Sequence, residues 1–483
     1  MARRNRIQNA LLALGAVLVG LTIIELGIFP LYLRVMPTNL MSLNERFGQQ
    51  LAQSSKANVI PRDYIMLTGD SYSVGLGDAL MLAPAGSREP YASAHFIAER
   101  LGRDVLSIGS GGWSSVTSAL APGLFAEQAR MSLRYSIPPP SAILYYFYEG
   151  NDLDDNLNWA RLSRKVDFAA RLYSTAEIET LLDAQRRSDA GLSPRLSRFA
   201  KANLPATFFM VDAIHKLGKN VLRRLSGSKD AESPAIRAAG DVNRAIVDGA
   251  PLNLPDRLQA PALALSDVEW TNSVLTAKSA LKAMGTAYRG VPITVVYLPS
   301  PLSSYDIVSE EVSYQKSPGP HGEAGVAPAK LAVERLARLR RDVCEIARDL
   351  GYGFIDATPA IRDTGRRMLV HGPHDWTHFN LEGYRSLGNF VADRLANGAR
   401  QARPEICMPV RPPPRFDRIR GRGRPGTCCP ASRTRTRQRS TTTRTAPSPR
   451  SRRRASAPST ASSATPRPSA RASAPTRRPA WSR

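Results

Sequence analysis

Short apolar runs alternate with helical stretches from Tyr64 onward. Residues 329 to 350 and 380 to 400 have helical patterns near the end of this region. Five runs read as strands: "YIMLTG" (64–69), "VLSIG" (105–109), "AILYYFYEG" (142–150), "ITVVYLP" (293–299) and "GFIDAT" (353–358). Continuous apolar runs indicate strands covered on both faces, and helical spacers indicate parallel neighbours. The pattern predicts a doubly wound α/β domain whose ligand site lies beyond the carboxyl ends of the strands.

A largely helical insertion, residues 157 to 265, separates the third and fourth predicted strands. Within it, Met210, Ile214, Leu217 and Val221 form an apolar stripe at i, i+4, i+7 and i+11, with basic residues around it. We expect this stripe to pack against the main sheet. A membrane-surface or substrate-lid role is the alternative.

The N-terminus has the pattern of a membrane anchor. A basic start, "MARRNR", precedes residues 10 to 24, which are nearly all apolar, and Glu25 is the only charge before Arg34. The stretch is long enough for a bilayer core if Glu25 lies near the far interface. A cleaved signal peptide is the alternative, but no small-x-small site follows the apolar core. We predict a single pass through the inner (cytoplasmic) membrane, with the basic end in the cytoplasm and the rest of the chain periplasmic or extracytoplasmic.

The C-terminal tail carries most of the net charge. Residues 411 to 483 contain 20 arginines, no lysine and one acidic residue, Asp417, which accounts for +19 of the formal +25. With few large apolar residues, the tail is predicted to be disordered. A basic arm and a frameshift artefact are two interpretations of it. Because aromatic residues are not interleaved with the arginines, and because an exported location conflicts with nucleic-acid binding, we expect no nucleic-acid partner.

These features divide the chain into an anchor, a linker, one α/β domain and a tail, with boundaries at 1–34, 35–60, 61–402 and 403–483. The length of 483 residues permits one large domain with insertions or two to three ordinary ones, and the hydrophobic share of 42% is slightly low, with much of the deficit in the tail. The spacing of the four cysteines shows neither a metal motif nor a disulfide framework; they are Cys344, Cys407, Cys428 and Cys429.

Residues suited to nucleophilic catalysis follow the predicted strands. The first strand is followed by Gly-Asp-Ser ending at Ser71, and the segment "HGPHDWTHFN" after the fifth contains Asp375 and His378. A serine hydroxyl becomes nucleophilic when a histidine removes its proton and a carboxylate orients that histidine. The D-x-x-H spacing lets Asp375 reach Nδ1 of His378 and leaves Nε2 free to face Ser71. Catalytic residues of this kind need no cofactor, and we expect none.

Donors for a tetrahedral oxyanion can come from two further strand ends. The backbone N–H groups of Ser71 and Gly112 and the side-chain amide of Asn151 are the expected donors. Each motif also has a structural interpretation: a capped strand-to-helix turn for Gly-Asp-Ser, a capping Asp beside a surface His for D-x-x-H, and a plain turn for Gly-Asn-Asp. The acidic residues near Asn151 suggest calcium but lack the spacing of a calcium loop, so no metal site is expected; they are Glu149, Asp152, Asp154 and Asp155.

The order of these segments resembles the SGNH hydrolases, the GDSL esterase and lipase superfamily, whose four blocks carry Ser, Gly, Asn and His. The matching residues are Ser71 in "GDS", Gly112 in "SIGSGG", Asn151 in "GND" and His378 in "DWTH". The similarity covers residues 60 to 160 and 290 to 400. The chain departs from the family in Ser107, where the second block often has Asn, and in the long insertion.

The resemblance implies a five-stranded sheet in the order 2-1-3-4-5. It also implies Ser71 as nucleophile, Asp375 and His378 as the rest of a triad, and an oxyanion hole formed by the Ser71 amide, Gly112 and Asn151. The expected activity is hydrolysis of a carboxylic ester on a small molecule, an envelope glycan or a lipid. An O-acyltransferase with the same triad and a catalytically silent carbohydrate-binding domain are the alternatives.

Overall fold

The computed structural model describes residues 2–43, 46–225, 241–317 and 323–398. The predicted tail, 403–483, lies outside the described residues. Five parallel strands form the central sheet, in the spatial order β2-β1-β3-β4-β5. They are β1 (Ile65–Gly69), β2 (Val105–Gly109), β3 (Ala142–Tyr148), β4 (Ile293–Leu298) and β5 (Gly353–Asp356). The predicted α/β class, the five strands and their order are confirmed.

Helices connect the strands and bury the sheet. Every residue of β1, β2 and β4 is buried, as expected for strands that are covered on both faces. The α-helices are Ala2–Ile23, Phe29–Tyr32, Arg46–Ala52, Ser71–Val74, Asp78–Met81, Ser93–Leu101, Ser115–Met131, Asp152–Trp159, Thr175–Asp189, Leu192–Asn203, Pro205–Leu225, Asp267–Ala287, Pro301–Ser304, Ala329–Asp349, Thr358–Gly365 and Leu381–Ala396. Short π-helical and 3-10 turns complete the set at Ile24–Ile28, Ala160–Arg164, Thr38–Leu43 and Pro261–Leu263.

Two small sheets stand beside the central one, and the apolar pattern did not predict them. One joins Ala324–Pro328, Glu311–Gln315 and Leu258–Gln259, and the other joins Ala250–Asn253, Arg244–Val247 and Asp306–Ile307. Each sheet combines a strand or strands from the insertion with chain that follows β4. The insertion is therefore helical only in its first part.

The segment predicted as a linker, 35–60, is instead packed into the domain. Phe47 and Leu51 of Arg46–Ala52 are buried. Beyond that helix, the Gln53 side chain pairs with the backbone of Ser107 as a neighbouring strand would: its Nε2 donates to the Ser107 carbonyl at 2.8 Å and its Oε1 accepts from the Ser107 N–H at 2.9 Å. These contacts satisfy an exposed edge of β2, so the segment belongs to the fold.

The apolar stripe of the insertion does not pack against the sheet. On Pro205–Leu225, here called the surface helix, Ile214, Leu217 and Val221 are 69%, 58% and 56% exposed. The predicted helix and its periodicity are confirmed, and the predicted burial is wrong. Phe209, on another side of the surface helix, contacts Phe29 with ring centroids 5.9 Å apart.

The N-terminal helical segment Ile7–Tyr32 is long and apolar enough to cross a membrane, with a mean hydropathy of 2.4 over its most apolar 18 residues. Glu25, its single acidic residue, is buried and accepts hydrogen bonds from the backbone N–H groups of Ala206 and Thr207, both at 2.9 Å. N–H groups in the first turn of a helix have no acceptor within that helix, and the positive end of the helix dipole favours a carboxylate there. The Arg134 guanidinium donates to the carbonyl of Glu25 at 2.6 Å and to that of Leu26 at 3.0 Å.

One cysteine departs from the expectation drawn from the spacing. Cys344, buried on Ala329–Asp349, is disulfide-bonded. Protein disulfides persist mainly in oxidising compartments. The cysteine spacing predicted no disulfide framework, and for Cys344 that prediction is wrong.

Candidate active site

The turn after β1 explains why the apolar run stops at Gly-Asp-Ser. Gly69 has φ +149°, and a Cβ there would lie 2.9 Å from Cβ of Tyr146 on β3, so both the backbone conformation and the packing favour glycine. The Asp70 carboxylate accepts from the Tyr72 N–H at 3.0 Å and caps the short helix Ser71–Val74. Capping and presentation of Ser71 are therefore two properties of the same turn.

The structure brings Ser71, His378 and Asp375 into one hydrogen-bonded row. Nε2 of His378 lies 2.8 Å from Oγ of Ser71, and Nδ1 of His378 lies 2.6 Å from Oδ2 of Asp375. The backbone N–H groups of Thr377 and His378 also donate to Asp375, at 2.9 and 3.1 Å. A carboxylate on Nδ1 fixes the tautomer in which Nε2 accepts a proton from the serine.

Asp375 is held in its charged form. Burial alone would raise its pKa, but the hydrogen bonds from His378 and from the backbone N–H groups of Thr377 and His378 outweigh burial and lower the pKa below that of an ordinary aspartate. The carboxylate is therefore negative throughout the neutral range. A negative carboxylate stabilises the imidazolium that forms when His378 accepts a proton.

Three buried side chains fix the loop that carries Asp375 and His378. The Asp78 carboxylate accepts from the N–H groups of His374 and Asp375, at 3.1 and 2.7 Å. The hydroxyl groups of Tyr72 and Tyr148 both donate to the carbonyl of Thr377, at 2.7 and 3.0 Å. The sequence pattern did not predict a role for these three side chains, because Asp78, Tyr72 and Tyr148 belong to no recognisable motif.

The glycine-rich turn after β2 lies beside the nucleophile. A Cβ on Gly111 would stand 3.9 Å from Cβ of Ser71. Gly112 has φ +70°, and a Cβ there would meet no atom within 4 Å. The left-handed backbone at 112 favours glycine there. On the outer side of the turn, Arg46 stacks 4.4 Å above the Trp113 ring and donates to the Ser110 hydroxyl at 3.2 Å.

Asn151 follows β3 and points toward the nucleophile turn. Its Nδ2 donates to Oδ2 of Asp70 at 2.9 Å, and Oγ of Ser71 lies 3.3 Å from the same carboxylate oxygen. An amide nitrogen carries two hydrogens, so the bond to Asp70 orients the side chain and leaves a second donor. The Ser71 N–H, at the start of its helix, has no intrahelical acceptor. The third predicted donor, the N–H of Gly112, belongs to the glycine-rich turn that also contains Gly111.

Buried acidic side chains lie near Asn151 and the turn that carries Ser71. Burial raises the pKa of Asp70, although hydrogen bonds from Tyr72 and Asn151 oppose the rise. Burial and the neighbouring Asp70 and Asp154 raise the pKa of Asp155 to about 8, so Asp155 is mainly protonated at neutral pH. A protonated Asp155 reduces the repulsion around Asp70. Among the described residues, no group of three or more His, Cys, Asp or Glu side chains is placed to hold a metal ion.

The two other histidines of the segment differ in position. His371 is fully buried, and burial lowers its pKa to about 3, so it is neutral at physiological pH. Its Nδ1 lies 3.3 Å from the Tyr305 hydroxyl. His374 is exposed, and its backbone N–H donates to Asp78. Neither histidine takes part in the row formed by Ser71, His378 and Asp375.

This arrangement is chemically suited to acyl transfer: a serine hydroxyl, an oriented base and nearby amide donors. The roles of Ser71, Gly112, Asn151, Asp375 and His378 stay predictions, since proximity alone does not establish turnover. Comparison with protein-family models, with curated proteins and with solved structures finds no match for this chain.

Proposed function

We propose that this chain is a membrane-anchored serine hydrolase of the SGNH type, which cleaves carboxylic esters through a covalent Ser71 intermediate. The observation that carries the proposal is the pair of distances at His378: 2.8 Å from Nε2 to the Ser71 hydroxyl and 2.6 Å from Nδ1 to Asp375. A capping Asp beside a surface His would not require a serine 307 positions away at Nε2.

The reaction begins when Oγ of Ser71 attacks the ester carbonyl and its proton passes to Nε2 of His378. The negative oxygen of the tetrahedral intermediate is stabilised by the N–H groups of Ser71 and Gly112 and by the Asn151 amide. The intermediate collapses, the C–O bond to the alcohol breaks, and the departing oxygen takes the proton from His378. Water then attacks the acyl-serine by the same route and releases the acid.

Two features support an exported, membrane-bound location. The N-terminal helical segment has the length and composition of a single span, with a basic start. The disulfide at Cys344 suits an oxidising compartment. We therefore propose that the N-terminus faces the cytoplasm and that the α/β domain lies on the extracytoplasmic side of the inner membrane. Esters on envelope glycans or lipids are the substrates such a domain meets.

The test uses the purified full-length protein in detergent and a short-chain p-nitrophenyl ester. Ser71→Ala removes the nucleophile, and turnover should fall by a factor of about 10⁴ or more. Ser73→Ala is the matched control, because it removes a buried hydroxyl from the same short helix, and that hydroxyl donates to the backbone carbonyl of Asp70. A fluorophosphonate probe should label the wild-type protein on the peptide that contains Ser71. Full activity of Ser71→Ala, or labelling at another serine, ends the proposal.

A further inference from the structure

Two consecutive helices of the insertion expose large apolar side chains in helical register. On Leu192–Asn203 the exposed residues are Leu192, Leu196 and Phe199, and on the surface helix they are Val211, Ile214, Leu217, Val221 and Leu222. Contiguous exposed apolar surface of this kind marks an interaction site in a soluble environment. The two helices are anchored in the domain where they meet, since Ala202 at the end of the first and Ala206 in the first turn of the second are buried.

The beginning of the surface helix adjoins the apolar N-terminal helix. Glu25, near the end of that helix, binds the first two free amides of the surface helix, and Phe29 contacts Phe209. Arg134 holds the same turn of the N-terminal helix through two carbonyls. The surface helix thus starts where the apolar segment enters the folded domain. If the N-terminal segment crosses a bilayer, the surface of that bilayer lies next to the surface helix.

Charge favours a bilayer over a second copy of the chain as the partner. From Leu192 to Leu225 the sequence contains seven Lys or Arg residues and one acidic residue, Asp212. Basic and apolar residues on one helix are typical of segments that lie in the headgroup region of anionic membranes. Two copies that met through such a face would bring like charges together, which opposes association.

We propose that the surface helix lies in the membrane interface beside the spanning helix, with Ile214, Leu217 and Val221 among the lipid acyl chains. The inference rests on the proposed membrane anchor but not on the proposed chemistry. It assigns a second membrane contact to the protein, and the ligand is the surface of an anionic phospholipid bilayer. The α/β domain is then attached through two helices that meet at Glu25.

The test places a genetically encoded fluorescent amino acid in the full-length protein, reconstituted into vesicles of phosphatidylcholine and phosphatidylglycerol. The positions are Ile214, Val333 and Leu14, one per protein. Val333 is the matched control, because it is an apolar residue of similar exposure, 61%, on the helix Ala329–Asp349. Leu14 reports on the anchor itself. Quenching by lipids with a doxyl group at a shallow or a deep position measures contact with acyl chains.

The proposal predicts that shallow doxyl lipids reduce fluorescence at 214 by roughly half, because an interfacial helix buries its apolar face about 5–10 Å into the bilayer. Position 333 should show no quenching, and position 14 should respond most to deep doxyl groups. No quenching at 214 overturns the proposal. A blue shift at 214 without lipid quenching, which disappears when unlabelled protein is added, indicates a second copy and also overturns it.

A paired variant tests the apolar residues directly. Ile214→Asp with Leu217→Asp should abolish quenching of a fluorophore at Val221, whereas Leu331→Asp with Val333→Asp, two exposed apolar residues on another helix, should leave it unchanged. Retained quenching in the first variant contradicts the proposal. The Ser71→Ala protein should give the wild-type pattern. The assay of ester hydrolysis and the quenching assay therefore test the two proposals separately. If Leu14 shows no quenching, the N-terminal helix does not span the membrane, and the inference about the surface helix fails with it.

Discussion

The loop that carries Asp375 and His378 and the surface helix have opposite relations to the rest of the chain. The loop is held by side chains from three other elements, through Asp78, Tyr72 and Tyr148. The surface helix is tied at its first turn by Glu25, and its apolar stripe is left open. The geometry of the hydrogen-bonded loop depends on distant residues of the same chain, whereas the described residues leave the stripe of the surface helix exposed.

The two regions differ in what their side chains reveal. Buried polar groups must find partners inside the chain, so their hydrogen bonds show where the loop is held. An exposed apolar stripe shows only that something outside the chain covers it or that nothing does. Substitutions in the two regions should therefore differ in what they change: geometry of the reacting groups in one, and membrane contact with little change in folding in the other.

Asn151→Ala should produce the largest effect among the residues that support the triad. The loss of one preorganised donor lowers kcat by about 10²–10³ while KM changes little, because the interaction strengthens in the transition state. Hydrolysis of the p-nitrophenyl ester by the full-length protein measures both constants. An unchanged kcat removes Asn151 from the oxyanion hole.

Asn156→Ala is the matched control for that substitution. Asn156 is a fully buried amide in the next helix, Asp152–Trp159, where it bonds to Ser115 and Ser273. Its loss should lower the free energy of unfolding and leave kcat per folded molecule unchanged. Equal losses of kcat in both variants would show that buried amides act here only through stability.

Asp78→Asn should have a smaller but clear effect on turnover. The amide keeps one acceptor oxygen but places an NH₂ group against the other backbone donor, the N–H of His374 or that of Asp375. One of the two hydrogen bonds is therefore replaced by a donor–donor contact, and the loop shifts away from Ser71. A displacement of about 1 Å at reacting groups costs up to about 10²-fold in rate. The rate of fluorophosphonate labelling at Ser71 measures this geometry independently of the ester substrate.

The control for Asp78 is Asp306→Asn, which breaks a half-exposed ion pair with Arg366. Pairs of this exposure contribute roughly 0–1 kcal/mol to stability, and Asp306 does not contact the loop, so labelling should be unchanged. Wild-type labelling by Asp78→Asn contradicts a positioning role for Asp78.

The smallest effect on stability is expected from substitutions in the exposed apolar stripe of the surface helix. Ile214→Ala should change the free energy of unfolding by no more than about 0.5 kcal/mol, as for other exposed positions. Ile361→Ala removes a fully buried side chain of the same type, and its cost should be about 2–5 kcal/mol. Denaturant titration of the two variants in detergent compares them. A similar cost at both positions would show that protein covers Ile214.

The sequence predicts the central sheet because each strand is a continuous apolar run, and it predicts the row of Ser71, Asp375 and His378 because both segments follow strand ends. It does not predict the small sheets, since their short strands pair across long separations: Ala245 pairs with Ile307. Asp78 has no motif, and its role depends on a loop about 300 positions away. The periodicity at Ile214 gives the helix and its apolar face, but it contains no information about what the face meets.

The packed segment between the N-terminal helix and β1 sets how far the active site can travel. A flexible tether of its length would allow the domain to sample a wide zone above the membrane. Here Phe47 and Leu51 are buried, and Arg46 touches the glycine-rich turn at Trp113. Under the proposed anchor and chemistry, this packing would hold Ser71 at a nearly constant height above the bilayer. The proposal then expects hydrolysis of esters that reach that height, and none of polymers that stay farther from the lipid.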